Sequence, residues 1–468
     1  MKVCSLYGAG YYYIPGTDIC MKIGGYVRTE WSYGSGADAT AGPWGGNHGY
    51  NTRLDSSSAS AATGTTITNN AADTTWRTRA YINYDARQQT AYGTLRTYFQ
   101  VGLSGNNNVI FSANRAFVQI AGFTVGLASS YFDFYSVAAI AYIVDSSSDT
   151  GDGGQQVFAY TAQLGNGLSA TLSLEQPNAK RRTLFHRGIG LSPVLGAATG
   201  NGYAKLVVPE VVGNIRIAQA WGSAQVMGAL HQVTSSYYIP SATGSSNGQN
   251  SGHASDKWGW AVGAGLRVNT PMIAPGNYFS TQVAYSQGAT RYVYNTAPNN
   301  PIAMKGGQSL GYGITTDGVV GLTGEIDLTT SWGVAGGYEH FWTPSLRTSV
   351  HGSYVELKYN TNANTNICAL QVGAAGAAGG LSFDAAGASG TATCNNNWST
   401  WQIGSRTQWN VTRDFYMGFD VVYQKLRSAS RGATAHFGAA GAQPSGLRTI
   451  EDQDVIHTRV RWHRDIAP

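Results

Sequence analysis

The sequence predicts an all-β fold, a transmembrane antiparallel up-and-down β-barrel of about sixteen strands. Three observations carry that expectation. Apolar and polar residues alternate strictly along most of the chain. Connections between the alternating segments also alternate, tight turns with long polar stretches. Finally, the composition suits neither a soluble domain nor a helical membrane protein. Only 12% of residues are charged, about half the usual soluble share, yet mean hydropathy stays slightly negative at -0.19. Gly 61, Tyr 28 and Trp 12, with tracts of Ser, Thr, Asn and Ala, account for that polarity without charge.

A length of 468 residues would by default mean two or three soluble domains. Disorder is excluded by 42% hydrophobic and 12% aromatic residues. Helical membrane spans are excluded because no stretch approaches roughly 18 consecutive apolar residues. The longest apolar run, Val137 to Val144, is too short to cross a bilayer as a helix. A net charge of +5 is small for this length and not concentrated, and no nucleic-acid signature accompanies it.

The first strand, Lys22 to Trp31, sets Ile23, Gly25, Val27, Thr29 and Trp31 against Lys22, Tyr26, Arg28 and Glu30. Thr75 to Asp85 sets Trp76, Thr78, Ala80, Ile82 and Tyr84 against Arg77, Arg79, Tyr81, Asn83 and Asp85. Tyr92 to Leu103 opposes Leu95, Thr97, Phe99 and Val101 to Arg96, Tyr98 and Gln100. In Arg115 to Ala121, Ala116, Val118 and Ile120 oppose Arg115, Phe117 and Gln119. Near the end, Phe415, Met417, Phe419, Val421 and Tyr423 alternate with Tyr416, Gly418, Asp420 and Gln424. In the last segment Ile456, Thr458, Val460 and Trp462 oppose His457, Arg459, Arg461 and His463. Further strands are expected near 123–130, 154–164, 168–176, 205–212, 214–221, 224–238, 258–268, 277–286, 328–342, 346–359 and 398–410, with 287–327 the least defined region.

Tight turns are expected at Arg87-Gln88-Gln89, Gly122, Gly165-Asn166-Gly167, Gly222-Ser223, Thr343-Pro344-Ser345 and Thr412-Arg413-Asp414. Long polar stretches fall at 34–73, 131–153, 177–204, 239–257, 287–327, 360–397 and 428–452. Aromatics at strand ends (Trp31, Tyr33, Trp76, Trp258, Trp260, Trp398, Trp401, Trp409) are suited to interfacial girdles, which makes the polar face the lumen. A soluble sandwich or propeller also alternates, but its loops need not sort by length, and no repeat of about 40 residues is present.

Four cysteines, Cys4, Cys20, Cys368 and Cys394, lie in turn-rich segments without zinc-site spacing. Three connectivities are open; the local one, 4 with 20 and 368 with 394, closes the shortest loops and points to an oxidising compartment. A bridge across the low-complexity Ala/Gly tract 373–380 would constrain that loop by roughly 3 kcal/mol. No signal-peptide apolar region precedes Met1-Lys2-Val3-Cys4, so an exported protein would be read here in its mature form or as an expression product.

Specific stretches carry a resemblance. Cys4, Tyr7-Gly8-Ala9-Gly10-Tyr11-Tyr12-Tyr13-Ile14-Pro15-Gly16-Thr17-Asp18, Cys20 and Lys22-Ile23-Gly24-Gly25-Tyr26-Val27-Arg28 form the first. Val212-Gly213-Asn214-Ile215-Arg216 with Gln219-Ala220-Trp221-Gly222-Ser223-Ala224-Gln225, and Gly404-Ser405-Arg406-Thr407-Gln408-Trp409-Asn410, are the others. The chain resembles the alphaproteobacterial outer-membrane porin family of general-diffusion porins. The resemblance implies a sixteen-stranded homotrimeric barrel of the bacterial outer membrane, passive diffusion of small hydrophilic solutes and ions, and a third long loop folded inward. Residues 1–21 are then an N-terminal segment on the periplasmic side, 22–468 the barrel with extracellular loops, and 131–153 the constriction loop. Such barrels usually finish on an aromatic residue; Ile466 stands there instead, followed by Ala467 and Pro468, a departure touching the assembly signal and not the pore.

A pore needs a polar lining, a constriction and a field across it. The inward register gathers Arg28, Arg77, Arg79, Arg96 and Arg115 on the first four strands as a candidate basic wall. An arginine facing lipid at mid-depth costs about 2–4 kcal/mol, which favours the inward assignment. Candidate opposing acids on the third loop are Asp133, Asp145, Asp149 and Asp152; Val137 to Val144 would pack that loop on the wall as a helical turn or two. An acidic rim facing a basic wall sets up a transverse field that favours polar solutes. Glu30, Asp85, Arg459 and Arg461 are further lumen residues, and His457 and His463 read as lining, not metal ligands. For each arginine and loop acid the plain alternative is solvation of the pore or loop.

Lys180-Arg181-Arg182 with His186 and Arg187 reads as a solvated loop, with a grip on lipopolysaccharide phosphates the alternative. Gly244-Ser245-Ser246-Asn247-Gly248 matches a nucleophile elbow by chance only, having no helix after it. No cofactor, metal or catalytic constellation is expected. The competing function is a substrate-specific channel for sugars or anions, requiring an aromatic ladder or arginine track, which Tyr26, Tyr81, Tyr92, Tyr98 and Phe117 leave open. An outer-membrane protease or phospholipase would need acid, histidine and nucleophile groups converging at one rim, and an adhesin-like role for the loops would be secondary.

Overall fold

In the computed structural model, the structure describes residues 3–33, 74–105, 110–135, 140–143, 148–151, 154–177, 180–182, 184–186, 203–204, 207–235, 254–294, 302–303, 309–322, 324–373, 381–383, 394–437 and 446–466. Sixteen long antiparallel strands form one closed wall: β1 (Cys20–Tyr33), β2 (Thr74–Thr90), β3 (Gly93–Gly105), β4 (Ile110–Ile120), β5 (Phe123–Ala128), β6 (Gln155–Gly165), β7 (Leu168–Glu175), β8 (Glu210–Gln219), β9 (Gly222–Val233), β10 (Lys257–Asn269), β11 (Tyr278–Gln287), β12 (Thr330–Phe341), β13 (Leu346–Lys358), β14 (Trp398–Asn410), β15 (Phe415–Arg427) and β16 (Gln453–Ile466). Each pairs with its neighbour in sequence, and β16 closes on β1 from Gly25↔Ile466 to Tyr33↔Thr458. Closure satisfies every edge, the condition for a sheet to stand in lipid.

Alternation sorts the two faces as period-2 geometry requires. Ile23, Val27, Ile82, Leu103, Val118 and Phe419 point outward and are exposed, while Glu30, Arg79, Asp420 and Arg459 point inward and are buried. Trp76, Trp258, Trp409 and Tyr33 are exposed at strand ends as a girdle needs. Trp398 is not part of it: it is buried, and its indole N–H donates to the Ile314 carbonyl at 2.6 Å, beneath a loop.

Tight hairpins gather at one end. Ala121-Gly122 and Asn166-Gly167 turn with left-handed backbones, the geometry two-residue loops need to match strand twist. Several boundaries differ from expectation. The turn expected at Arg87–Gln89 falls at Ala91-Tyr92, because Arg87 and Gln89 continue the ladder opposite Arg96 and Thr94. Gly222 and Ser223 open β9 and the turn is Ala220-Trp221. Two strands expected at 205–212 and 214–221 are one, β8; Gly213 pairs with Gly228 without a break. A glycine weakens a strand but does not end one whose flanking residues pair on both sides. Among its described residues the region 287–327 adds no barrel strand, only short pairs such as Gly318–Val320 with Ile326–Leu328. A helix, Thr361–Gly373, occupies part of the loop after β13.

Cysteines 4 and 20 are bridged, as are 368 and 394. The first bridge holds the N-terminal segment beside the foot of β1, where Tyr11 and Tyr7 lie against Arg87. At the opposite end, long loops fold onto the inner wall. Phe185, Tyr292, Tyr312, Ile314, Tyr359 and Ile367 bury together with wall residues drawn from β8 to β15. The inner faces of β16 and β1 to β3 instead carry charge.

Candidate functional site

Cross-strand register explains how so many arginines share one wall. Glu30 sits between Arg77 of β2 and Arg461 of β16 in a single row. Arg461 Nε donates to Glu30 Oε1 and Arg77 Nε to Oε2, each at 2.7 Å. One row away, Arg28 lies between Arg79 and His463 and donates to His463 Nδ1 at 3.1 Å. In the other direction Arg459 stands between Ser32 and Asp420, and Arg406 is Asp420's neighbour on β14. Glu30, read as an additional lumen acid, is thus central: a single buried carboxylate bridges two guanidinium groups that would otherwise repel.

Two of the five candidate wall arginines stand apart. Arg96 binds Asp85, with Nη2 to Oδ2 at 2.8 Å, and Arg87 shares that carboxylate at 2.9 Å. Arg115 donates to the Asn114 carbonyl at 2.8 Å and to Ser129 Oγ at 2.7 Å, at the root of the third loop. The gathered set is Arg28, Arg77, Arg79, Arg459 and Arg461, from β1, β2 and β16.

The third loop, between β5 and β6, crosses the lumen to this wall. Its first part is fixed near β8 to β11: Asn214 Nδ2 donates to the Tyr131 carbonyl at 2.6 Å, and Phe134 N to Gln282 Oε1 at 3.2 Å. Its far part reaches β13 to β16. Tyr142 N and Ile143 N donate to Asp420 Oδ2 at 2.6 and 3.1 Å, and Tyr142 O–H donates to Gln408 Oε1 at 2.9 Å. The Tyr142 carbonyl accepts from Arg459 at 2.6 Å, and the Arg461 guanidinium lies 3.9 Å from the Tyr142 ring centre. Ile140 to Ile143 form no helix, in contrast to expectation, because Asp420 takes their amides. Glycines at 418 and 337 make room: a Cβ at either would collide with Tyr142 or Ile140.

Of the loop acids, Asp133 is buried and accepts from Thr150 N at 2.7 Å, Thr150 Oγ1 at 2.6 Å and Tyr135 O–H at 2.9 Å. Burial pushes its carboxyl up to about 7, against the pull of Lys180. Asp149 is buried beside it and accepts from Gly151 N at 2.8 Å. Asp145 and Asp152 lie outside the described residues, as do Arg187 and Gly244–Gly248. The basic cluster at 180–182 is neither solvated nor open to lipid phosphates. Lys180 and Arg182 are buried under the loops, Arg182 Nη2 donating to the Tyr294 carbonyl at 2.9 Å. Asp133, Glu175 and Asp317 supply charge that draws them in.

Asp420, Tyr142, Glu339 and Arg406 were not singled out from sequence, although Arg406 pairs with Glu339 and lies 5.3 Å from the Tyr142 ring. For Asp420, Glu339 and Arg406 the one signal is charge on an inward position; Tyr142, an uncharged loop residue, offers none. His457 is buried on the inner face and His463 stacks between Tyr26 and Tyr416 at 4.9 and 4.6 Å. Among the described residues no three His, Cys, Asp or Glu side chains gather as a metal site.

A closed sixteen-strand wall, an inward loop and a charged inner face are the parts of a pore, and residues 1–456 match the family described as a porin subfamily. The chain belongs to this porin family. It is 28% identical over 325 residues to porin Omp2a of Brucella melitensis biotype 1, covering 64% of this chain and 79% of that protein. To porin Omp2b of Brucella suis it is 27% identical over 338 residues, 64% of this chain and 78% of that one. The fold is shared with the outer membrane channel DcaP of Acinetobacter baumannii, at a TM-score of 0.59 over 97% of this chain and 99% of the other, with 13% identity. This porin therefore resides in the bacterial outer membrane and forms a water-filled channel for passive diffusion.

Proposed function

We propose that small hydrophilic solutes and ions cross this porin between the third loop and the arginine wall of Arg28, Arg77, Arg79, Arg459 and Arg461. The observation that carries the proposal is the anchoring of Tyr142 on Asp420 and Arg459, which sets the loop beside that wall. Five arginines around one Glu30 leave an excess of positive charge, so the field favours anions weakly. Asp133 and Asp149 serve chiefly to shape the loop. Arg96, Arg115 and Asp85 line the passage outside the narrowest zone. Diffusion requires no chemistry, and the chain acts as a channel and not as an enzyme. Residues 1–21 form a periplasmic-side segment before the barrel of 22–468, and three copies assemble, as family membership suggests.

A dedicated sugar or aromatic-solute channel is the second reading, favoured by the lumen stack Tyr81–Tyr26–His463–Tyr416. These rings lie face to face, at interplanar angles of 28°, 26° and 16°. Their faces are spent on one another, whereas a slide for sugars needs faces open to the solute. Replacing Arg77 and Arg79 by glutamine should move the reversal potential towards cation preference in a salt gradient. An unchanged reversal potential removes these residues from the constriction.

A further inference from the structure

Beneath the root of the third loop, near the tight-hairpin end of β4 to β9, the lumen wall holds a cavity of about 330 Å³. Arg216 of β8 stands in it, half-buried. Unlike Arg77, Arg96 or Arg461, it has no carboxylate partner among the described residues. Its one hydrogen bond there is a long one, from Nη1 to Gln225 Oε1 at 3.5 Å. One face is backed by the Phe134 ring, whose centre is 5.3 Å away. That ring is itself fixed by a glycine: a Cβ at Gly265 would overlap it. The guanidinium is thus held with most of its five N–H donors uncommitted.

Register places hydroxyls beside it. Ser169 is directly opposite Arg216 across β7 and β8, and its hydroxyl makes no hydrogen bond among the described residues. Two neighbouring carboxylates are already engaged: Glu175 accepts from Ser130 Oγ at 2.7 Å and Tyr131 N at 2.9 Å, and Asp133 is held by Thr150. A concave, hydroxyl-lined pocket with one pre-oriented, uncompensated guanidinium fits a ligand that carries both a carboxylate and hydroxyls.

We propose that this pocket is a binding subsite for small hydroxycarboxylates, Arg216 taking the carboxylate through two parallel N–H donors and Ser169 a hydroxyl. The inference rests on the reading of the protein as an open pore. It gives such solutes a resting place on the tight-hairpin side of the loop, separate from the Glu30 arginine cluster.

The test uses the full-length porin in planar bilayers with gluconate as probe, in about 0.1 M KCl so that charge is not fully screened. Gluconate should interrupt the wild-type current in a concentration-dependent way, and glucose at equal concentration should not. Arg216→Gln should raise the gluconate concentration for half-effect by about tenfold or more, the loss of one charge-assisted bidentate pair. Arg216→Lys, which keeps the charge and so the fold of the wall, should fall between, and Ser169→Ala should cost a smaller factor. Equal gluconate response in Arg216→Gln and wild type, or glucose acting as strongly as gluconate, overturns the site. Absence of KCl conductance steps in the wild type would instead overturn the pore reading.

Discussion

Asp420 is the residue on which the proposed constriction depends most. It is fully buried, opposite Arg406 and Arg459 in the wall, and it holds two amides of the third loop as well as His351 Nε2 at 3.2 Å. Asp420→Ala leaves both amides without an acceptor, a penalty of about 1–3 kcal/mol for each buried group. We expect larger and noisier single-channel currents from a detached loop tip, and a conductance equal to wild type argues against the anchor. Asp133 adds a pH dependence. Its folded carboxyl is raised to about 7 from an ordinary 3.8, so the folded state holds the proton more tightly than the unfolded chain. The resulting stabilisation is full below about 4, declines as pH rises, and is gone above about 7. Loop flicker should therefore increase as pH rises from about 4 to about 7, and Asp133→Asn should flatten that profile; a wild-type trace indifferent to pH across that range contradicts it. The inward arginines were legible because a lipid-facing guanidinium is so costly. Asp420's role was not, because its contact to Tyr142 spans 278 positions of sequence.

Among the elements, the strands were the most legible, since period-2 alternation is imposed directly by a wall with lipid on one side and water on the other. Boundaries failed where a local signal competed with pairing, as at Gly213, where both neighbouring strands hold the chain in register. The third loop was foreseeable as an inward strap only through family resemblance, and its path depends on room that glycines leave on the far wall. Gly418→Val should push Tyr142 away from Arg461 and alter conductance while leaving the barrel's resistance to heat in detergent unchanged. Loss of heat resistance as well would mean that Gly418 serves the wall itself. The bridge between Cys368 and Cys394, 26 residues apart, belongs to a loop and not to the wall. A Cys368→Ser, Cys394→Ser double variant should give up roughly 3 kcal/mol of loop constraint. It should be cut faster by protease within that loop, with an unchanged melting profile of the barrel strands.

For the whole molecule, closure of β16 on β1 does two things at once. It removes the sheet edges and brings Arg459 and Arg461 from the last strand beside Glu30 and Arg28 of the first. The basic wall therefore exists only in the completed barrel, which is why a scan along the first four strands could find three of its five members. The direct measurement is single-channel conductance with reversal potential in a planar bilayer under a salt gradient, wild type beside Arg77→Gln, Arg79→Gln. Large ohmic steps arriving in threes, weak anion preference, and a shift towards cations in the double variant are expected. Absent or very small conductance, or a reversal potential that the double variant leaves in place, would contradict this expectation.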